Sequence, residues 1–400
     1  MRQFDDELLL SNLLVADRLT CETLAELARA IDQSHRAAPV ASQNDIWGSS
    51  SQILEPIIEN FAELQRGANL CSRKGQVQQL NEWSLNIFEQ LRKLFGDRKA
   101  DGHVRECHGD LHLGNIIVWH GAPTPFDCLE FNPAFRWIDT MNEIAFVVMD
   151  LSRHGRLDLA AFFLNASLEQ SGDYEGISVL RFYLVYRAIV RAKVELLRLH
   201  QMKEQSEERE CGELALQNYL DLATRYTQPG TGRLIITHGL SGSGKTWGTH
   251  SLIESLGVIR IRSDVERKRI FGISSDTSSS TAPESLYSSE MTKRTYNRLA
   301  SLAQQLIQAG FAVIVDATFL RRADRLRFQE LARNLNVPFQ IIPFEADIQV
   351  LRERIQRRAR TGGDASDATI AVMEAQRAAA EPLTADELDL CVPLHAFQRK

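Results

Sequence analysis

Cysteine is sparse and scattered. The six residues, Cys21, Cys71, Cys107, Cys128, Cys211 and Cys391, form no CxxC pair and no tight cluster with histidine. That pattern fits a reducing compartment and argues against a structural zinc site. A secretion signal is also lacking, because the chain opens MRQFDDELLL, with acids where such a signal carries bases. No apolar run has the length needed to span a bilayer. The expectation is a cytoplasmic protein with no membrane partner. Internal repeats are absent, and neither sign of charge dominates, the net charge being −6 over 400 residues. That length exceeds what one hydrophobic core usually organises, so two domains are expected. The balance does shift along the chain. Residues 1–232 carry −10 and residues 233–400 carry +4. The second stretch is the better home for an anionic ligand, but its surplus is too small to predict a nucleic-acid partner.

Residues 1–100 read as helix. Leu8, Leu9, Leu13 and Leu14, then Leu24, Leu27, Ala28 and Ile31, recur at three- and four-residue spacing. Thr23 with Glu26 predicts a capping box. Asn115–Trp119 and Pro125–Phe131 predict a β-hairpin about a Gly121/Pro123 turn. Helical periodicity returns over 137–226, and the breaker cluster 228–232 (QPGTG) is the candidate linker. Beyond it, strand-like runs at 234–237, 258–261, 311–315 and 339–344 alternate with helical segments. Such alternation predicts a parallel sheet sandwiched by helices. The fold class expected is α/β, a mainly helical α+β part over 1–227 followed by a P-loop domain over 233–395. Ser274–Ser280 reads as a polar loop.

The most specific motif is Gly239-Leu-Ser241-Gly242-Ser243-Gly244-Lys245-Thr246, a GxxxxGK[ST] match between a strand and a helix. Glycines let the backbone curl until its N–H groups meet phosphate oxygens, and the helix N-terminus adds partial positive charge. ATP is therefore the expected ligand. Lys245, expected to face solvent when the site is empty, would reach the β- and γ-phosphates, and the Thr246 hydroxyl would ligate Mg²⁺. Asp316 closes an apolar strand, where it suits a second Mg²⁺ contact or a helix cap. Asp264 follows the second strand, where it suits either a base for an acceptor hydroxyl or, with Ser263, a helix cap. Arg352, Arg354, Arg357, Arg358 and Arg360 crowd one helix ahead of Gly362-Gly363-Asp364. Some must be a solvated face, since Ile348, Leu351 and Ile355 face inward. One or two could close over phosphate about a Gly-Gly hinge.

GLSGSGKT, RSDVERKR, VDATF and the arginine cluster together make residues 233–395 resemble P-loop kinases of the gluconate kinase, polynucleotide kinase and zeta-toxin type, a group often labelled with the AAA ATPases. The resemblance implies that Asp264 engages the acceptor hydroxyl and that arginines among 354–360 contact phosphate. Nothing resembles the second region of homology of ring-forming ATPases.

A second signature stands earlier. His108-Gly-Asp110-Leu-His112-Leu-Gly-Asn115, followed by Phe126-Asp127, resembles the catalytic region of aminoglycoside phosphotransferases and choline-kinase-like enzymes. The resemblance implies Asp110 as base and Asn115 and Asp127 as Mg²⁺ ligands. Those enzymes grip ATP with a strand lysine in a preceding sheet lobe. Here Lys74, Lys93 and Lys99, the lysines ahead of His108, stand in helical sequence. Either the sequence starts downstream of that lobe or this half is a relic. The whole resembles a bacterial fusion of an aminoglycoside-phosphotransferase-like region, its first lobe absent, with a P-loop kinase-like domain. The activity implied is transfer of the ATP γ-phosphate to a hydroxyl of a small molecule. Plain ATP hydrolysis and a nucleotide-dependent binding module with the first half as scaffold are the alternatives.

Overall fold

The computed structural model describes residues 5–67, 73–202, 206–273, 284–361 and 368–397, which divide into two compact units, Met1–Pro229 and Gly230–Lys400. The polar loop at 274–280, the Gly362-Gly363 pair and the Arg360 side chain lie outside the described residues.

The first unit is mainly helical. Its helices are α1 (Leu10–Val15), α2 (Cys21–Ala37), α3 (Ser50–Gly67) and α4 (Lys74–Ala100). Four short strands follow, β1 (Val104–Glu106), β2 (Ile116–Trp119), β3 (Ala122–Pro125) and β4 (Trp137–Asp139). Then come α5 (Thr140–Arg153), α6 (Leu157–Ser171), α7 (Ile177–Gln201) and α8 (Glu207–Thr227). α7 is the central column, packing against α3, α4, α5 and α8. It can do so because apolar residues such as Val179, Leu180, Tyr183, Leu184, Ala188, Ala192 and Leu196 are buried along it.

Two expectations are corrected in this unit. Thr20, not Thr23, caps α2, its hydroxyl accepting from the Thr23 N–H. The helix therefore starts three residues earlier than the Thr23/Glu26 pairing predicts. The hairpin is also tighter than expected. Ile116 pairs with Pro125 and Trp119 with Ala122, so the turn is His120-Gly121 and Pro123 lies within β3. Both turn residues have positive φ, 51° and 81°, the two-residue geometry whose twist matches that of the strands.

The second unit comprises β5 (Arg233–His238), α9 (Lys245–Leu256), β6 (Ile259–Arg262), α10 (Ser263–Phe271), α11 (Ser289–Gln308), β7 (Ala312–Asp316), α12 (Arg322–Asn334), β8 (Phe339–Pro343), α13 (Ile348–Thr361), α14 (Ile370–Ala378) and α15 (Ala385–Leu388). The four strands form one parallel sheet in the order β6-β7-β5-β8. Leu234, Ile235, Ile236, Ile314 and Ile341 in their centres are fully buried, as expected of a parallel sheet between helices. Because all four strands run parallel, their carboxyl ends open onto one common edge. In such sheets ligands bind there.

Candidate active site

The phosphate-type loop joins β5 to α9. Gly242 and Gly244 have φ of 84° and 93°, a region that L side chains rarely adopt. Gly239 is needed for space, since a Cβ there would sit 2.3 Å from the Phe344 carbonyl oxygen. The loop is braced from β7. Thr237 Oγ1 donates to the Ala317 carbonyl at 2.6 Å and accepts from the Ala317 N–H, and the Gly239 N–H donates to the Thr318 carbonyl. Phe319, beside this brace, takes the unusual φ of 47° and is held by a hydrogen bond from its N–H to the Tyr296 hydroxyl.

Thr246 Oγ1 donates to Asp316 Oδ2 at 2.9 Å, so the fold brings these two oxygen donors together from opposite sides of the site. A hydroxyl and a carboxylate side by side are the hard oxygen ligands that Mg²⁺ takes alongside water and phosphate, so the residues fit that ion. Lys245 differs from the expectation of a solvent-facing side chain. It is half-buried, and its Nζ donates to the carbonyls of Gly239 at 2.9 Å and Leu240 at 2.7 Å. Burial lowers its pKa, against the opposing charges of Asp316 and Asp264. The ammonium finds its partners in the loop's own backbone, because half-buried donors need acceptors.

Asp264 lies in the first turn of α10, but the cap position falls on Arg262 and no side chain caps the helix. Among the described residues the Asp264 carboxylate makes no hydrogen bond or ion pair. It lines a cavity of about 1170 Å³ shared with the loop, Asp316, Arg354, Arg357 and Arg358. Of these arginines, Arg354 reaches the Gly242 carbonyl at 3.4 Å and Arg358 the Ala368 carbonyl at 2.9 Å. Leu351 and Ile355 are buried and Ile348 half-buried, packing with Met373 against Leu240 of the loop.

Several cavity residues escaped the sequence reading. Gln376 of α14 accepts the Ser241 N–H at 3.0 Å, across 135 residues, with no local signal to announce it. Arg267 is buried, donates to the Leu286 carbonyl and Thr292 hydroxyl, and stacks 5.1 Å over the Tyr287 ring. Burial raises the Asp324 pKa, against neighbouring arginines. Outside the cavity lining, His238 at the end of β5 is pushed down to about 4 by burial and by Arg325, and so is neutral at pH 7. Trp247 follows the motif directly, which was a usable signal.

In the first unit, Asn115 Nδ2 donates to Asp110 Oδ2 at 3.1 Å and to its carbonyl at 3.0 Å, so these two residues meet. His108 Nδ1 accepts the Asp110 N–H, and its Nε2 lies 2.8 Å from the Phe126 carbonyl, next to Asp127 in the chain. Asp127 itself is exposed at φ 60°, and among the described residues its carboxylate makes no hydrogen bond. Lys74, Lys93 and Lys99 all lie on α4. Asp110 lines a separate cavity of about 270 Å³, walled by aromatic side chains including Phe182, Tyr183 and Trp137. Residues far apart in the sequence do meet here: the fold gathers His35, Cys107 and Glu143 with their ligand atoms within 4.8 Å. Glu143 is nonetheless occupied, accepting from the Gly109 N–H and pairing with His35 at 2.7 Å.

A parallel sheet, a glycine loop running into a helix and a strand-end carboxylate on the loop's threonine define a P-loop domain. A family model described as an AAA domain matches residues 234–383. Over 379 residues the chain is 29% identical to the uncharacterized protein Rv2004c of Mycobacterium tuberculosis and, equally, to the uncharacterized protein Mb2027c of Mycobacterium bovis. The match covers 94% of this chain and 75% of theirs. Among solved structures, a sugar kinase from Janibacter is 21% identical, covering 41% of this chain and 86% of its own, with a TM-score of 0.31. A gluconokinase from Sinorhizobium meliloti is 19% identical, covering 41% and 81%, with a TM-score of 0.29.

Proposed function

We propose that residues 233–395 transfer the γ-phosphate of ATP to a hydroxyl of a small molecule. The observation that carries this reading is the Asp264 carboxylate, without a partner among the described residues, in one cavity with the loop and with the Thr246–Asp316 pair. A carboxylate spent on capping or on a salt bridge would instead favour plain hydrolysis or a regulatory module.

In this reading the backbone of Gly239–Thr246 and the arginines Arg354, Arg357 and Arg358 hold ATP, and Thr246 and Asp316 hold Mg²⁺. Bound there, Mg²⁺ and ATP supply the activated phosphoryl group and neutralise charge on it. Lys245 leaves the Gly239 and Leu240 carbonyls for phosphate oxygen, a point charge on a flexible stem. Asp264 orients the acceptor hydroxyl and takes its proton. Residues 1–227 carry the aminoglycoside-phosphotransferase-like signature in a form we read as catalytically inactive. The support is that Lys74, Lys93 and Lys99 all lie on helix α4, where none takes the strand position from which a lysine grips phosphate in those enzymes. A cytoplasmic location follows from the need for ATP.

The test is ADP release by the full chain across a panel of hydroxylated metabolites, then with Asp264→Asn. The variant is expected to bind ATP normally and to lose about 10²–10⁴ in transfer rate. Full transfer by Asp264→Asn would remove the base from this reading.

A further inference from the structure

Trp247 is the third residue of α9, directly after Thr246, and it is 83% exposed. Among the described residues its ring makes no aromatic, cation–π or hydrogen-bonding contact. An indole is among the largest apolar surfaces a side chain offers, and leaving it in water at a site edge has no folding rationale. Its surroundings extend the point. Trp247 lines the same cavity as the phosphate loop, together with Phe344 and Leu394. The neighbouring Gly248 has no room for a side chain, since a Cβ there would meet Phe344 Cε1 at 2.4 Å and Leu394 Cδ2 at 3.0 Å. The cavity is thus lined both by the polar loop with its lysine and by the apolar side chains of Trp247, Phe344 and Leu394. A ligand matching both kinds of lining has an anionic tail and a flat face, which is the shape of a nucleotide.

We propose that Trp247 is the platform on which the nucleobase stacks, a positioning and affinity residue for the nucleotide. The proposal rests on the phosphate-site reading above and adds the base subsite. Stacking on an aromatic ring is tolerant of base identity and is worth about 1–3 kcal/mol per base by alanine substitution, or about 5- to 150-fold in affinity.

The experiment titrates the full-length protein with Mg²⁺–ATP and, separately, with inorganic tripolyphosphate, which has the tail without the base. Trp247 is the only tryptophan after residue 137 of the five in the chain, so Trp247→Phe also assigns any emission change. The expected result is quenching of wild-type emission by ATP but not by tripolyphosphate, lost in Trp247→Phe. Trp247→Ala should bind ATP about 5- to 150-fold more weakly and tripolyphosphate as wild type does. If Trp247→Ala binds both ligands as wild type does, the base platform is overturned and the phosphate site stands. If wild type binds neither ligand, the phosphate-site reading fails and takes this proposal with it. Equal weakening toward both ligands would make Trp247 a support of the loop, and would also overturn the proposal.

Discussion

Replacing Lys245 with alanine separates two roles of one side chain. Its ammonium holds the carbonyls of Gly239 and Leu240 at 2.9 and 2.7 Å, with Ser243 Oγ more distant at 3.4 Å. Hydrogen bonds from a charged donor contribute about 1.5–3 kcal/mol each when buried. Here the side chain is half-buried and itself lines the open cavity, so water can take the place the lysine vacates. The net loss should therefore be about 1–2 kcal/mol, or roughly 2–8 °C in the melting temperature of a unit this size. Nucleotide affinity should fall further. The variant forfeits a charge-assisted bond to phosphate, about 2–3 kcal/mol and so roughly 30- to 150-fold in affinity. Calorimetric titration with Mg²⁺–ATP reads the affinity, a thermal scan the stability, and circular dichroism that the variant is folded. A folded Lys245→Ala protein with wild-type ATP affinity would refute the phosphate site. A loss of melting temperature far beyond 8 °C would mean that the lysine is chiefly a strut of the loop.

Asp110→Ala should leave ADP release close to wild type under conditions where Lys245→Ala is silent. If Asp110→Ala were the silent variant, the first unit would be the catalyst and the argument from its helical lysines would be wrong. Arg325 and Glu387, 1% and 5% exposed, form a bidentate pair at 2.8 and 2.9 Å. Arg325→Ala would strand the carboxylate and should destabilise the second unit by about 3–5 kcal/mol in denaturant unfolding. The same pair sets an acid limit. Burial works against the Glu387 charge, but the hydrogen bonds from Arg325 and the Thr384 N–H outweigh it and hold its pKa below the usual glutamate range. Stability from this group is thus complete above an unfolded-state pKa of about 4.3, and lost as pH falls through the lower folded value. In Glu387→Gln that part of the acid slope should disappear, and an unchanged slope would exclude the pair as its source.

The second unit's parallel sheet was legible in the chain because its strands are short apolar runs between helical periods, a pattern that only a sheet covered on both faces satisfies. The phosphate loop was legible for a similar reason, since glycine at 239, 242 and 244 answers to backbone space and positive φ, which are local demands. Helix starts and turns were less so. The Thr23/Glu26 pairing pointed to a start three residues too late, because the Thr20 hydroxyl takes the Thr23 N–H, and the hairpin was expected to turn about Gly121/Pro123 until the paired positive φ of His120 and Gly121 fixed its register. What the chain could not announce is everything that depends on strand order. Placing β7 between β6 and β5 sets Asp316 against Thr246 across 70 residues and turns Asp264 into the same cavity. Packing α13 and α14 on Leu240 carries Gln376 to the Ser241 N–H. The fate of Lys245 was decided the same way, since a half-buried ammonium takes whatever acceptors the folded loop offers, and those exist only once the loop has closed.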